Sequence, residues 1–214
     1  MTLSLRRHRF FRDMLAPFSR ARRGQRTARF VETMGIEGGE RIIDLGGTAK
    51  FWGAVAPSCD ITVINLPGTA VRAPLPPQHR FTFVEGDACA LPDLADDSFD
   101  IAFSNSVIEH VGDAENRAAH ARELRRLAPR YWLQTPSIWF PVEAHTGMPF
   151  YWFYPAPMKR YLKREWRSKL PNWTDMIEGT TVVSRREVET LLPEATIWTE
   201  RFAGFPKSYV AYKT

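Results

Sequence analysis

An apolar strand that ends on an acid and turns at once through two glycines lies early in the chain, where Arg41 to Gly53 reads RIIDLGGTAKFWG. Ile42 and Ile43 stand side by side with no polar residue between them, as in a parallel strand covered on both faces. Asp44 falls at the carboxyl end of that strand, where a packed core alone would not need a charge. Gly46 and Gly47 then let the backbone turn tightly and approach a ligand closely. The segment therefore constrains the chain towards an open α/β sheet with a nucleotide-type pocket across its strand ends. The plain alternative is an ordinary strand and glycine turn, and what stands downstream decides between them.

The rest of the chain keeps a strand-helix alternation. After residues 20–34, which read as a helix ending at Gly35, strands are predicted near 41–45, 61–65, 81–84, 100–104 and 130–135, with a helix over 115–127 before Pro129. Four prolines between Pro67 and Gln78 exclude a helix interior there. Residues 136–181 break the rhythm with Trp, Tyr, Phe, Pro and Lys/Arg and read as an inserted lid or substrate region. Ser184 is placed to N-cap the helix of RREVETLL, and ATIWTERF and SYVAYK read as closing strands. The organisation expected is a basic helical extension over 1–35 and one α/β domain over 36–214. At 214 residues, 44% hydrophobic and 25% charged, a single domain with a sizeable core is the natural size class.

No apolar run approaches the roughly 18–20 residues that cross a bilayer, and the first residues lack the apolar block of a signal peptide. A cytoplasmic protein is expected. Cys59 and Cys89 have neither metal-ligand spacing nor disulfide density, and read as reduced structural thiols. Charge is unevenly spread: residues 1–30 hold nine arginines against the single acid Asp13. That segment carries +8, so an overall +5 leaves −3 on the other 184 residues. Leu5, Phe10, Phe11, Met14, Leu15 and Phe18 are interleaved with the arginines. Three readings stay open: a helix packed on the domain, a helix lying on anionic lipid, and, less favoured, a nucleic-acid contact.

The other strand ends carry polar groups in a suggestive order, since ligands of doubly wound sheets lie across the carboxyl edge. ITVINLPG puts Asn65 after the second strand, where it can reach a ribose hydroxyl. FVEGDACALP puts Asp87 and the small Ala88 after the third, and FDIAFSNSVIEHV puts Ser104 and Asn105 after the fourth. Each could be a mere turn or cap residue; their agreement in order points to a shared site.

On these residues the chain resembles the class I S-adenosylmethionine-dependent methyltransferases, in particular the group known as methyltransferase type 11. IIDLGGTAKFW resembles that family's first motif, GDACALPDLADDSFD the segment with the adenine-contacting acid, and SNSVIEHV the motif after strand four; together they span residues 41–135. The resemblance implies a Rossmann-like sheet of seven strands, the last antiparallel, with helices on both faces. It implies S-adenosylmethionine as cofactor, with Asp44, Gly46 and the backbone of Gly47 and Thr48 near its methionine end. Asn65 would contact the ribose, Asp87 and Ala88 the adenine, and Ser104 with Asn105 the floor below the sulfonium. Two departures stand out: Thr48 and Lys50 occupy family glycine positions, and Asn65 replaces an acid. A hydrogen bond to a charged acceptor contributes roughly 1.5–3 kcal/mol and a neutral one about 0.5–1.5, so Asn65 weakens cofactor binding by about tenfold.

Other cofactors fit less well. GGTAKF is not the GxGxxG that leads a dinucleotide's pyrophosphate onto a helix, and neither a Walker lysine nor a GxSxG nucleophile is present. Histidines 8, 79, 110, 120 and 145 lack paired spacing with cysteines or acids apart from adjacent Glu109-His110, so no metal is expected.

Methyl transfer from a sulfonium needs alignment and water exclusion, and an alcohol or phenol acceptor must also lose a proton. Glu109, His110, Glu143 and His145 are the candidate bases. Glu143 and His145 lie in TPSIWFPVEAHTGMPFYWF after strand five, whereas Glu109 and His110 could equally brace a helix. Trp139, Phe140, Phe150, Tyr151, Trp152, Phe153 and Tyr154 either line an apolar acceptor pocket or pack a small core of their own. Lys159, Arg160, Lys163, Arg164, Arg167 and Lys169 form a second basic run. The function expected is methylation of a small-molecule or lipid-linked acceptor, at oxygen rather than nitrogen, with peripheral membrane contact through residues 1–30 as one of the open readings of that segment. An RNA methyltransferase and a non-catalytic S-adenosylmethionine-binding regulator are the alternatives; oligomeric state is not legible.

Overall fold

A computed structural model of the chain describes residues 24–69 and 74–214. Seven strands form one sheet in the order β3-β2-β1-β4-β5-β7-β6. They are β1 (Arg41–Leu45), β2 (Asp60–Asn65), β3 (Arg80–Glu85), β4 (Ile101–Asn105), β5 (Arg130–Pro136), β6 (Thr196–Phe202) and β7 (Phe205–Lys213). β1 to β5 pair in parallel, while β7 runs antiparallel between β5 and β6. Phe202 pairs with Phe205, so Ala203 and Gly204 make the whole turn, both at positive φ (46° and 84°). Two left-handed residues match the twist of adjoining strands, which is why a hairpin this tight closes the sheet.

Burial follows position in the sheet. Ile42 to Leu45 of β1 and Ile101 to Ser104 of β4 are buried throughout, as central strands covered on both sides must be. On one face, α1 (24–34) and the single turn α2 (Ala49–Trp52) cover the sheet. Phe30 of α1 meets Phe51, Trp52, Phe103 and Trp132 at ring separations of 4.9–6.0 Å, mostly edge to face, the arrangement that aromatic quadrupoles favour. Phe30 and Met34 are core residues. The boundary drawn at residue 35 therefore cuts through the domain, because the last turns of the expected extension fill its core. Residues 1–23, with most of the arginine cluster, lie outside the described residues.

α3 (Ala114–Leu127) and α6 (Arg185–Leu191) cover the opposite face, burying Ala121, Leu124 and Leu127 and then Val188 against Ile43, Leu45, Ala102 and Leu133. Both begin with side-chain caps: Asp113 accepts from Asn116 N at 3.0 Å, and Ser184 from Glu187 N at 3.1 Å. Among the described residues no helix joins β2 to β3 or β3 to β4. Edge strand β3 is correspondingly open, with Phe83 and Val84 exposed.

The stretch 136–181 leaves the sheet after β5. A 3-10 turn (Tyr151–Phe153), α4 (Ala156–Arg167) and α5 (Pro171–Gly179) pack around Tyr151, Trp166 and Ile177 as a separate small core. Among the described residues no helix is long and apolar enough to cross a membrane.

Candidate functional site

The glycine turn is built over a buried charge. Asp44 is wholly buried, its Oδ2 accepts from Trp52 Nε1 at 2.8 Å, and its Oδ1 has no partner. Burial pushes the carboxyl up to about 7, against the Trp52 hydrogen bond that lowers it. Gly47 lies directly over this carboxyl: a Cβ there would stand 1.9–2.0 Å from its two oxygens. Gly46 adopts φ +79°, its N–H donates to Ile64 O at 2.8 Å, and a Cβ would strike Val107 Cγ1 at 2.6 Å. Both glycines are thus required by close approach, one to Asp44 and one to the loop after β4. Thr48 follows as an exposed N-cap without a side-chain cap bond.

Asn65, at the end of β2, donates its amide N–H groups to Ile64 O (2.8 Å) and Gly47 O (3.2 Å). It therefore steadies the turn and keeps its acceptor oxygen for a ligand, the polarity that a family acid would offer at this position. Asp87 is exposed and folds back to accept from Cys89 N at 2.9 Å, beside the buried Ala88. Asn105 Oδ1 at the end of β4 is buried without a partner, an acceptor left over at the same sheet edge.

Ser104 goes elsewhere. It is fully buried and its hydroxyl lies 2.9 Å from His120 Nε2, while His120 Nδ1 lies 3.3 Å from Ala88 O. A carbonyl can only accept, so Nδ1 carries the proton and Nε2 accepts from Ser104. Burial lowers His120 to about 4 and keeps it neutral. The hydroxyl thus braces β4 against α3 and the Asp87–Ala88 loop instead of facing the open edge.

The four candidate bases come together. Glu109 and His110, in the turns after β4, meet Glu143 and His145, from the loop after β5. His145 Nδ1 is 2.9 Å from Glu143 Oε1, and its Nε2 is 3.0 Å from His110 Nε2 with the rings at 89°. Glu143 Oε2 accepts the backbone N–H of His145 (3.0 Å) and Thr146 (2.5 Å). Burial works against its charge, but the hydrogen bonds from His145 and Thr146 hold Glu143 below the usual carboxyl range. Burial would lower His145, and the Glu143 hydrogen bond and charge outweigh it, so His145 is raised. His110 is lowered to about 4 by burial and by the charge of His145. Glu109 is raised to about 7 by burial; its Oε2 accepts from Thr135 Oγ1 at 3.1 Å and its Oε1 has no partner.

A cavity of about 20 Å³, the room of one water, opens beside this group between Glu109, Glu143, His145, Phe140, Phe150 and Tyr151. Tyr151 is a contributor that its sequence did not distinguish from the aromatics around it. Its ring packs the insert's core, its buried hydroxyl has no partner, and the residue is part of the cavity's lining. Thr180, which contacts His110 Nδ1 at 3.2 Å, comes from 70 residues away and carries no sequence signal at all.

Comparison with known proteins gives a family match over part of the chain, and a fold. Residues 44–130 match the family described as methyltransferase domain. No protein of curated function matches the chain. Among solved structures, a SAM-dependent methyltransferase from Aquifex aeolicus is similar with a TM-score of 0.51 and 15% identity, over 87% of each chain. A SAM-dependent methyltransferase from Methanosarcina mazei gives 0.51 and 16% over 82% of this chain and 92% of its own. Phosphoethanolamine N-methyltransferase 2 of Haemonchus contortus, solved with S-adenosyl-L-methionine, gives 0.57 and 10% over 88% of this chain and 51% of its own.

Proposed function

We propose that this chain, a class I S-adenosylmethionine-dependent methyltransferase by its sheet order and its matched segment, methylates an oxygen of a small-molecule or lipid-linked acceptor. The observation that carries the reading is the succession along one sheet edge. The glycine turn after β1, Asn105 and the Glu109–His110 turn after β4, and the Glu143–His145 loop after β5 stand on three adjacent strands. Donor and acceptor sites at such neighbouring strand ends can be aligned for an in-line displacement.

The cradle fits the cofactor. Gly46 and Gly47 leave no space for side chains, Asn65 offers an acceptor to a ribose hydroxyl, and Asn105 Oδ1 lacks a partner. Asp44 acts from beneath, holding Trp52 and the turn in place. When bound, S-adenosylmethionine supplies an electrophilic methyl group on its sulfonium.

The protein's own contribution is proton handling and shelter. Glu143 fixes the tautomer of His145 through Nδ1–H, so that Nε2 is the basic nitrogen and can take the proton of an acceptor hydroxyl as it attacks. A neutral amine acceptor would need no such group, which favours oxygen. Phe140, Phe150 and Tyr151 wall the cavity, which has room for about one water. Phe150 of its wall is about half exposed, and elsewhere on the insert's surface Phe153 and Trp139 are about half exposed and Arg160 and Arg164 are exposed on α4. Those groups favour an acceptor with an apolar body and an anionic part, such as a lipid-linked one. Titration calorimetry with S-adenosylmethionine tests the reading: saturable binding is expected, and no heat at about 1 mM ligand overturns it.

A further inference from the structure

The paired histidines His110 and His145 pose a problem of hydrogen bonding that a proton alone only half solves. Glu143 is an acceptor for three groups, so His145 gives it Nδ1–H and keeps a lone pair on Nε2. The Thr180 hydroxyl donates to Met176 O at 2.8 Å, so towards His110 it accepts, and His110 also carries its hydrogen on Nδ1. Both Nε2 atoms therefore present lone pairs, and they face each other at 3.0 Å. Glu109 Oε1, nine-tenths buried and without a partner, points at the same place, 3.9 Å from His145 Nε2. One shared proton would relieve the two nitrogens and leave Glu109 Oε1 unpaired. A cation with several coordination positions satisfies all three donors.

We propose that Glu109, His110 and His145 form a binding site for a first-row transition dication of the Zn²⁺ or Co²⁺ type. One ligand atom from each residue lies within 4.8 Å of the others. Two imidazole nitrogens at about 2.0–2.1 Å from a common ion subtend the observed 3.0 Å at an angle of roughly 95°. Glu109 Oε1, 3.9 Å from His145 Nε2, would have to move inward to complete the set. Two imidazoles and one carboxylate suit these ions better than calcium or magnesium, which take oxygen donors.

The surroundings are those of a metal centre. Each ligand is held through its other polar atom: His145 by Glu143, His110 by Thr180, and Glu109 by Thr135. Three protein ligands leave a position open, and Glu109 and His145 both line the cavity of Tyr151. An acceptor oxygen entering that cavity would find the ion in its wall. The proposal stands on the donor set and does not depend on the methyl-transfer reading; with the ion bound His145 Nε2 is a ligand, so its part as proton acceptor belongs to the ion-free protein.

The test is optical titration of the full chain, stripped with a chelator, with Co²⁺ alone. Saturable one-to-one binding with visible d–d absorption is expected, to be lost in His110→Ala and in His145→Ala. Glu143→Gln, which keeps all three ligands and loses the negative partner of His145, is expected to weaken Co²⁺ by about 10- to 100-fold. Circular dichroism of each variant separates loss of metal from loss of fold. Absence of one-to-one binding by the wild type, survival of the signal in folded His110→Ala and His145→Ala, or unchanged affinity in Glu143→Gln overturns the site. S-adenosylhomocysteine binding, measured by calorimetry on the same samples, reports the glycine-turn site independently.

Discussion

Replacing Gly47 by alanine puts the argument for the glycine turn to its sharpest test. The new Cβ would lie 1.9 and 2.0 Å from the two oxygens of Asp44. That overlap cannot be absorbed locally, because Asp44 is wholly buried and tied to Trp52, itself 0% exposed. Gly47 does not sit at positive φ, so backbone strain does not enter, and the change in an open position would stabilise slightly by about 0.4–1 kcal/mol. Here the carboxyl must move. Overpacking costs about 1–3 kcal/mol, and leaving the Trp52 N–H unpaired in the core costs about 1–3 more. A net loss of about 2–5 kcal/mol follows, a large part of the roughly 5–15 kcal/mol that holds a domain together. Urea unfolding measures it, and calorimetry with S-adenosylhomocysteine should show binding lost along with the turn. Because the clash is with one side chain, Asp44→Ala should relieve it, giving a coupling of about 1–3 kcal/mol in a double-mutant cycle. A Gly47→Ala protein within about 1 kcal/mol of wild type, or one whose loss is the same in the Asp44→Ala background, would refute the reasoning.

The buried Asp44 also predicts a pH dependence of defined sign. Its carboxyl titrates near 7 when folded and near its ordinary value of 3.8 when unfolded, so its contribution is complete below about 4 and is lost as pH rises through 7. The loss is on the order of 4 kcal/mol at most; Asp44→Asn should flatten the fall in urea midpoint between about pH 4 and 7, and an unchanged slope would assign the effect elsewhere. His145→Ala should leave S-adenosylhomocysteine affinity intact and lower turnover of an oxygen acceptor by about 10²–10⁴-fold, the usual worth of a general base; undiminished turnover excludes the role. Deleting residues 1–18, with their interleaved arginines and apolar residues, should release the chain from anionic vesicles in a sedimentation assay, whereas continued binding would move the docking surface to the insert.

Sequence alone determined the parts of this protein that are local. Strand positions were legible because an apolar run at β1, β4 and β5 is decided within a few residues, and so were the cap at Ser184 and the glycines of the turn. The closing antiparallel strands also stand where ATIWTERF and SYVAYK placed them, through the family resemblance. Other properties existed only after folding. Asp44 looked like a ligand contact, yet Trp52 and Gly47 enclose it, because one helical turn brings the indole back over the strand end. Ser104 looked like cofactor floor, but its side of β4 faces α3, where His120 claims the hydroxyl. The aromatic insert divides its side chains between a core around Trp166 and the rim of a cavity, a partition that composition could not make. Above all, His110 and His145 are 35 residues apart and share no spacing rule. Parallel pairing of β4 with β5 brings their following loops to the same edge, where Glu143 and Thr180 fix the imidazole tautomers. The sequence supplied the acids and histidines; only the register of two neighbouring strands made them one site.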